Sequence, residues 1–149
     1  MKTEIIITIV FAFVAIALII FLAFRSYLGK DKIPEIMDGD EFEDYCARLL
    51  MHTGFTHIKQ TPASHDFGCD ILAYKDGIKY GIQCKSYSAP VGVSAVQQAY
   101  AGKDFYDCMV GVVMTNNVYT LPAIEAAAKL KVILWDGEDI QKMEENIDA

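Results

Sequence analysis

Several common signatures are missing from these 149 residues, and each absence closes off a class of function. The four cysteines, Cys46, Cys69, Cys84 and Cys108, are widely spaced and form no C-x-x-C pair. Zinc and thiol-exchange motifs are therefore without support, and each cysteine reads as a small buried hydrophobe. No P-loop, dinucleotide-binding fingerprint or nucleophile elbow occurs, which removes the usual phosphate cradles and serine hydrolases. There is no internal repeat and no low-complexity run. Basic residues are scarce, with 13 Lys and Arg against 20 Asp and Glu and a formal net charge of −7. Nucleic-acid binders usually carry a basic footprint. Any contact with DNA must then come from a local cleft drawing on Lys59, Lys75, Lys79, Lys85 and Lys103, and should be weak and salt-sensitive.

One long apolar run is present. Ile5 to Phe24 carries no charge and one polar residue, Thr8. Twenty helical residues span about 30 Å, the thickness of the hydrocarbon core of a bilayer. The run is too long for a signal-peptide core, and no small-x-small cleavage site follows it. The expectation is a retained anchor over residues 1–26, a linker over 27–37 and a domain over 38–149. Arg25, Lys30 and Lys32 follow the run and Lys2 precedes it. That bias places the C-terminal domain on the cytoplasmic side of the inner, cytoplasmic membrane.

Patterning divides the domain into elements. Asp40–Thr53 repeats apolar residues at helical spacing and meets a stop at Gly54. Phe55–Gln60 reads as a strand. Gly68–Tyr74 and Ile78–Ser86 read as two further strands joined by Asp76-Gly77, the strongest short hairpin signal. Val93–Tyr106 reads as a helix, and Cys108–Thr115 as a strand buried on both faces. A helix opens at Thr120 and Pro122, a strand follows over Lys131–Trp135, and Glu138–Asn146 is a final helix. The expected fold class is α/β, a mixed central sheet flanked by helices in the order α-β-β-β-α-β-α-β-α.

The Asp76-Gly77 turn fixes a register in which facing residues sum to 153. Asp70 then faces Gln83, with Cα atoms about 4.5–5.5 Å apart, and Lys85 lies two residues further along the same face. Cys69, Ile71, Ala73, Tyr80, Ile82 and Cys84 are expected on the opposite, core face. Cys69 and Cys84 face each other in this register, so their redox state would report on the compartment. A carboxylate, an amide oxygen and an ammonium converge, as phosphodiester hydrolysis with a held metal requires. Magnesium takes oxygen ligands and keeps several waters. Asp70 is the anchor ligand, Gln83 and the Cys84 backbone carbonyl can assist, and Lys85 can orient water or neutralise charge. Glu43 is the best second carboxylate. The same residues also suit the polar outer face of an ordinary hairpin. Gln97 and Gln98 suit phosphate or solvent equally, and His52, His57 and His65 are too scattered to read as ligands.

An ordered set of motifs decides between these readings. Gly39-x-x-Phe42-Glu43, Thr61-Pro62-Ala63-Ser64-x-Asp66-x-Gly68-x-Asp70, Gln83-Cys84-Lys85-x-Tyr87 and Val96-Gln97-Gln98-Ala99-Tyr100 occur in sequence. Val113-x-Thr115-Asn116 and Leu134-Trp135-Asp136 follow. Together they resemble the catalytic domain of the Mrr-type restriction endonucleases, within the PD-(D/E)xK nuclease superfamily, over Asp38 to Ile147. The resemblance implies Mg²⁺-dependent DNA cleavage at Glu43, Asp70, Gln83 and Lys85. The superfamily commonly has Glu or Asp in the middle position. Gln83, the form typical of the Mrr-like branch, removes one charge, so weaker metal affinity and use of Mn²⁺ are expected. Such enzymes often carry a separate DNA-reading domain, whereas the N-terminal room here holds the apolar run, which leaves modified-base specificity open. The expectation is a membrane-anchored endodeoxyribonuclease of restriction or DNA processing, with Lys79, Gln97 and Gln98 as DNA contacts and paired copies cutting both strands. The alternative is a membrane-tethered nucleic-acid-binding or scaffold protein on an inactive nuclease fold.

Overall fold

Helical and alternating patterns along the chain resolve into nine elements in the computed structural model, which describes residues 13–20, 37–62 and 67–147. The chain divides into two units, Met1–Lys32 and Ile33–Ala149. In the first unit, residues 13–20 are helical and expose Phe13, Val14, Ile16, Leu18, Ile19 and Ile20. Most of the Ile5–Phe24 run, and all of the 27–37 linker except Met37, lies outside the described residues. Among the described residues no helix is long and apolar enough to cross a membrane.

The second unit runs α1 (Gly39–His52), β1 (Thr56–Gln60), β2 (Ile71–Lys75), β3 (Ile78–Lys85), α2 (Val93–Phe105), β4 (Val110–Thr115), α3 (Leu121–Leu130), β5 (Val132–Trp135) and α4 (Gly137–Glu145). Three of these four helices start at a side-chain cap, while α2 follows Gly92 without one. Asp38 caps α1 by accepting from the Glu41 N–H at 2.9 Å, Thr120 caps α3 ahead of Pro122, and Asp136 forms a capping box with Asp139 on α4. These side chains satisfy backbone N–H groups that have no partner inside the helix.

The five strands lie in the order β1-β2-β3-β4-β5. The first three are antiparallel and the last three parallel. Asp76 and Gly77 both take positive φ, 52° and 78°, as a two-residue hairpin turn that follows strand twist demands. The β2–β3 register runs from Ile71 opposite Ile82 to Lys75 opposite Ile78, the sum of 153 set by that turn.

Helices cover both faces. On one, α1 and α4 bury Phe42, Cys46, Leu49, Leu50 and Ile140 against Ile71, Ala73, Ile82, Cys84, Val112 and Met114. On the other, α2 and α3 lay Ala95, Val96, Ala99, Ala123 and Ala127 over Val113 and Val132.

One facing assignment is corrected. β2 begins at Ile71, not Gly68, because Phe67 and Gly68 take positive φ, 47° and 93°, and break the alternation. Cys69 therefore lies on the α2 side, where its Sγ fills the space beside Gly81 and Gly102. Cys84 lies among the α1-side residues. The two thiols are separated by the sheet and do not face each other. All four cysteines are free.

Candidate active site

The site forms where β2 has ended and β3 continues. Beyond Ile71, the Asp70 backbone still spans its neighbours: its N–H donates to the Ile82 carbonyl at 2.8 Å, and its carbonyl accepts from the Thr61 N–H at 2.8 Å. The Thr61 hydroxyl adds a bond to the Cys69 carbonyl at 2.7 Å. The chain before Asp70 is thus tied to the end of β1. Past this point β3 has lost its partner on the β2 side while keeping β4 on the other, and the Asp70 side chain takes the vacant place. Its Oδ2 accepts from the Cys84 N–H at 2.6 Å and from Gln83 Nε2. Charge-assisted bonds of this kind are the stronger ones. Asp70 is only 5% exposed, so without these donors its charge would be costly to bury.

Gln83 is 2% exposed. It projects to the α2 side, alongside Val113, its register partner on β4. Its Oε1 is buried without a hydrogen-bond partner. In a strand, one residue's N–H and C=O point toward the same neighbour. The Cys84 carbonyl therefore opens onto the same gap as its N–H, beside Asp70. Lys85, half-buried, follows on the Gln83 face. Among the described residues its ammonium has no hydrogen-bond or ion-pair partner.

Glu43, half-buried, lies on α1 one turn before Cys46 on the same helix face. The Cys84 thiol is pushed well above its ordinary pKa, first by its hydrogen bond with Cys46 and by burial, and then by Cys46, Asp70 and Glu43 charge. Hydrogen bonds bring Asp70, Gln83 and the Cys84 backbone together, with Lys85 next on β3.

Of the three residues expected to contact DNA, Lys79 lies apart from this group. Lys79 donates to the Tyr106 carbonyl at the C-terminal end of α2, where a cation suits the helix dipole. Six residues of strand, about 20 Å, separate it from Lys85. Gln97 and Gln98 are exposed on α2.

Unforeseen residues hold the site in place. A Cβ on Gly68 would stand 2.2 Å from the Gln98 carbonyl oxygen, and one on Gly102 would stand 2.6 Å from the Gly68 carbonyl carbon. Bare glycines let α2 lie directly on the segment leading into Asp70. Isolated glycines inside a helix or strand pattern, such as Gly102 and Gly81, are the signal that could have revealed this. Ser86 Oγ donates to the Met37 carbonyl at 2.7 Å. The Tyr87 backbone is held from both sides, by Asn116 Oδ1 at 3.0 Å and Asn117 Nδ2 at 3.0 Å. The chain after Lys85 is pinned as firmly as the chain before Asp70.

The donors fit a hard divalent cation better than zinc. Among the described residues, no three His, Cys, Asp or Glu side chains gather to hold a metal. Magnesium needs only one or two carboxylates, with oxygen and water completing its shell. Asp70 and the orphaned acceptor of Gln83 supply that kind of ligand.

The architecture has counterparts among solved structures. AspBHI, a DNA modification-dependent restriction endonuclease, aligns with a TM-score of 0.62 at 17% identity over 75% of this chain and 32% of its own. The MspJI restriction endonuclease in complex with a 27-mer oligonucleotide aligns at 0.56, 15% identity, 80% and 29%. A protein of unknown function, AF1548, aligns at 0.56, 21% identity, 69% and 65%. The chain thus spans less than two thirds of each of these chains, and the likeness is one of fold. No curated protein matches the chain. The model of the Mrr catalytic-domain restriction endonucleases matches residues 35–143, nearly the whole second unit, and the chain belongs to that family.

Proposed function

We propose that this protein is a metal-dependent DNA endonuclease carried on an N-terminal membrane tether. One observation carries the reading: Asp70 is held by the Cys84 N–H and Gln83, beside a buried oxygen acceptor that nothing else satisfies. Family membership supplies the chemistry such a pocket serves. AspBHI and MspJI, which share the fold, are restriction endonucleases, in keeping with DNA as the substrate here.

Asp70, Glu43, the Gln83 oxygen and the Cys84 carbonyl would hold Mg²⁺, with Mn²⁺ as a substitute. The ion supplies charge neutralisation at the phosphate and a more acidic bound water. Asp70, seated on β3 by the Cys84 N–H, would fix where the ion sits relative to that strand. Lys85 holds the attacking water in line with the scissile bond and offsets the negative charge that develops on phosphate oxygen. Water attacks phosphorus, the P–O3′ bond breaks, and the products carry a 5′-phosphate and a 3′-hydroxyl. Two copies acting together would cut both strands.

The tether rests on the uncharged run Ile5–Phe24 and on the exposed apolar side chains of helical residues 13–20. The basic residues after the run favour a cytoplasmic domain.

The test is cleavage of supercoiled plasmid by the full chain with Mg²⁺ or Mn²⁺. Asp70→Ala and Lys85→Ala should each lower the rate by at least about 100-fold while leaving the melting temperature near that of the unaltered protein. Cutting at the unaltered rate by either variant overturns the assignment. The net charge of −7 favours a second reading, a tethered scaffold on an inactive nuclease fold. Calorimetry separates the two, because a scaffold shows no heat of binding with millimolar Mg²⁺.

A further inference from the structure

The two polar ends of the Gln83 side chain fare unequally. Nε2 donates to Asp70 Oδ2. Oε1 is buried without a partner, and it is the one side-chain atom in that condition among the described residues. A buried acceptor left unmade is a standing cost to the fold. Turning the amide over would not remove that cost in the bare protein. It would set Oε1 against Oδ2, two electron-rich oxygens in contact, while both amide hydrogens lost their acceptor. Neither orientation satisfies the metal-free pocket completely, and only the first keeps Asp70 supplied with donors.

A divalent cation beside Asp70 changes the balance. Oxygen facing oxygen becomes the favoured arrangement once a cation lies between them, since hard cations gather such ligands. The Cys84 N–H stays on Oδ2 in either state, because it belongs to the backbone of β3. An ionised glutamate at this position could not serve both states. It has no donor for the metal-free pocket and would place a second negative charge beside Asp70.

We infer that Gln83 is a metal-responsive positioning residue. Its amide nitrogen holds Asp70 in place while the pocket is empty, and its amide turns to present Oε1 when a divalent cation enters. The inference rests on the reading of Asp70 as the metal centre and adds how that centre is kept assembled before loading.

The experiment uses the full chain in detergent micelles, labelled with ¹⁵N at glutamine side chains. The Gln83 amide signals are identified by their loss in Gln83→Met. Adding Mg²⁺ should shift both Gln83 amide proton signals well beyond those of Gln97 and Gln98. In parallel, Gln83→Glu should melt below the unaltered protein in chelator and recover most of the difference in Mg²⁺. If Mg²⁺ raises the melting temperature while the Gln83 signals stay fixed, the metal centre stands and the turning amide is overturned. Gln83→Glu melting at the unaltered temperature in chelator overturns it too. If Mg²⁺ moves neither the melting temperature nor any signal of the pocket, the metal reading itself falls.

Discussion

The two faces of the sheet are packed by opposite means. On the α1 and α4 side, large side chains do the filling: Phe42, Leu49, Leu50, Ile71, Ile82, Met114 and Ile140. On the α2 and α3 side, the helices contribute mostly alanine, and Gly68, Gly102 and Gly111 allow backbones to touch. Interdigitated side chains hold elements apart at a set distance, whereas bare backbones bring them close and fix their relative position. The proposed site lies at the seam. Glu43 comes from the bulky side, and Asp70 is steadied by the close-packed one.

The contrast predicts opposite sensitivities to volume. The largest effect should come from removing bulk: Phe42→Ala should cost about 3–5 kcal/mol in denaturant unfolding. An equally large loss from deleting the Ala99 methyl would erase the distinction. Next comes adding bulk on the other side. The Cβ of Gly102→Ala would meet the Gly68 backbone at 2.6 Å and Cys69 Sγ at 2.7 Å. Overpacking of this kind costs about 1–3 kcal/mol, against a gain of about 1 kcal/mol in helix propensity. Because Gly68 leads into Asp70, cleavage should fall by more than stability does, a disparity that parallel melting and plasmid assays would reveal.

A finer test concerns Gly81. Its added Cβ would meet only side-chain atoms, Cys69 Sγ at 2.7 Å and Cys108 Sγ at 3.3 Å as the nearest two. Gly81→Ala should therefore destabilise, and Cys69→Ala should restore part of the loss. The coupling expected between touching residues is about 0.5–3 kcal/mol, and strict additivity in a double-mutant cycle would contradict the close packing. The smallest effect belongs to Lys79→Met. Loss of its bond to the Tyr106 carbonyl should cost about 0.5–1 kcal/mol and leave cleavage unchanged, which would mark this lysine as structural.

Much of the sheet was legible because local chemistry dictated it. Asp-Gly requires two positive φ angles, and that requirement carried the β2–β3 register and the meeting of Asp70 with Gln83. The apolar run at Val110–Thr115 marked the central strand for the same kind of reason. Cys69 was misplaced because alternation was extended through Phe67 and Gly68, where the backbone leaves the strand conformation. The partner of Lys79 was hidden because it is a carbonyl at the end of a helix 27 residues away in sequence. Gly81 and Gly102 both face Cys69 Sγ; as isolated glycines they mark close approach, but their spacing does not name the partner. Glu43 could be proposed as a second acid from its helix position alone.

The bond from the Cys84 N–H to Asp70 also limits how this hairpin can vary. A carboxylate stands where a longer arm would have placed a peptide group, so growth of the earlier arm by two residues would displace the acid from its seat. Variants with lengthened arms should thus gain a more regular sheet and forfeit the reaction. The proposed chemistry would then be lodged in an interruption of the scaffold that carries it.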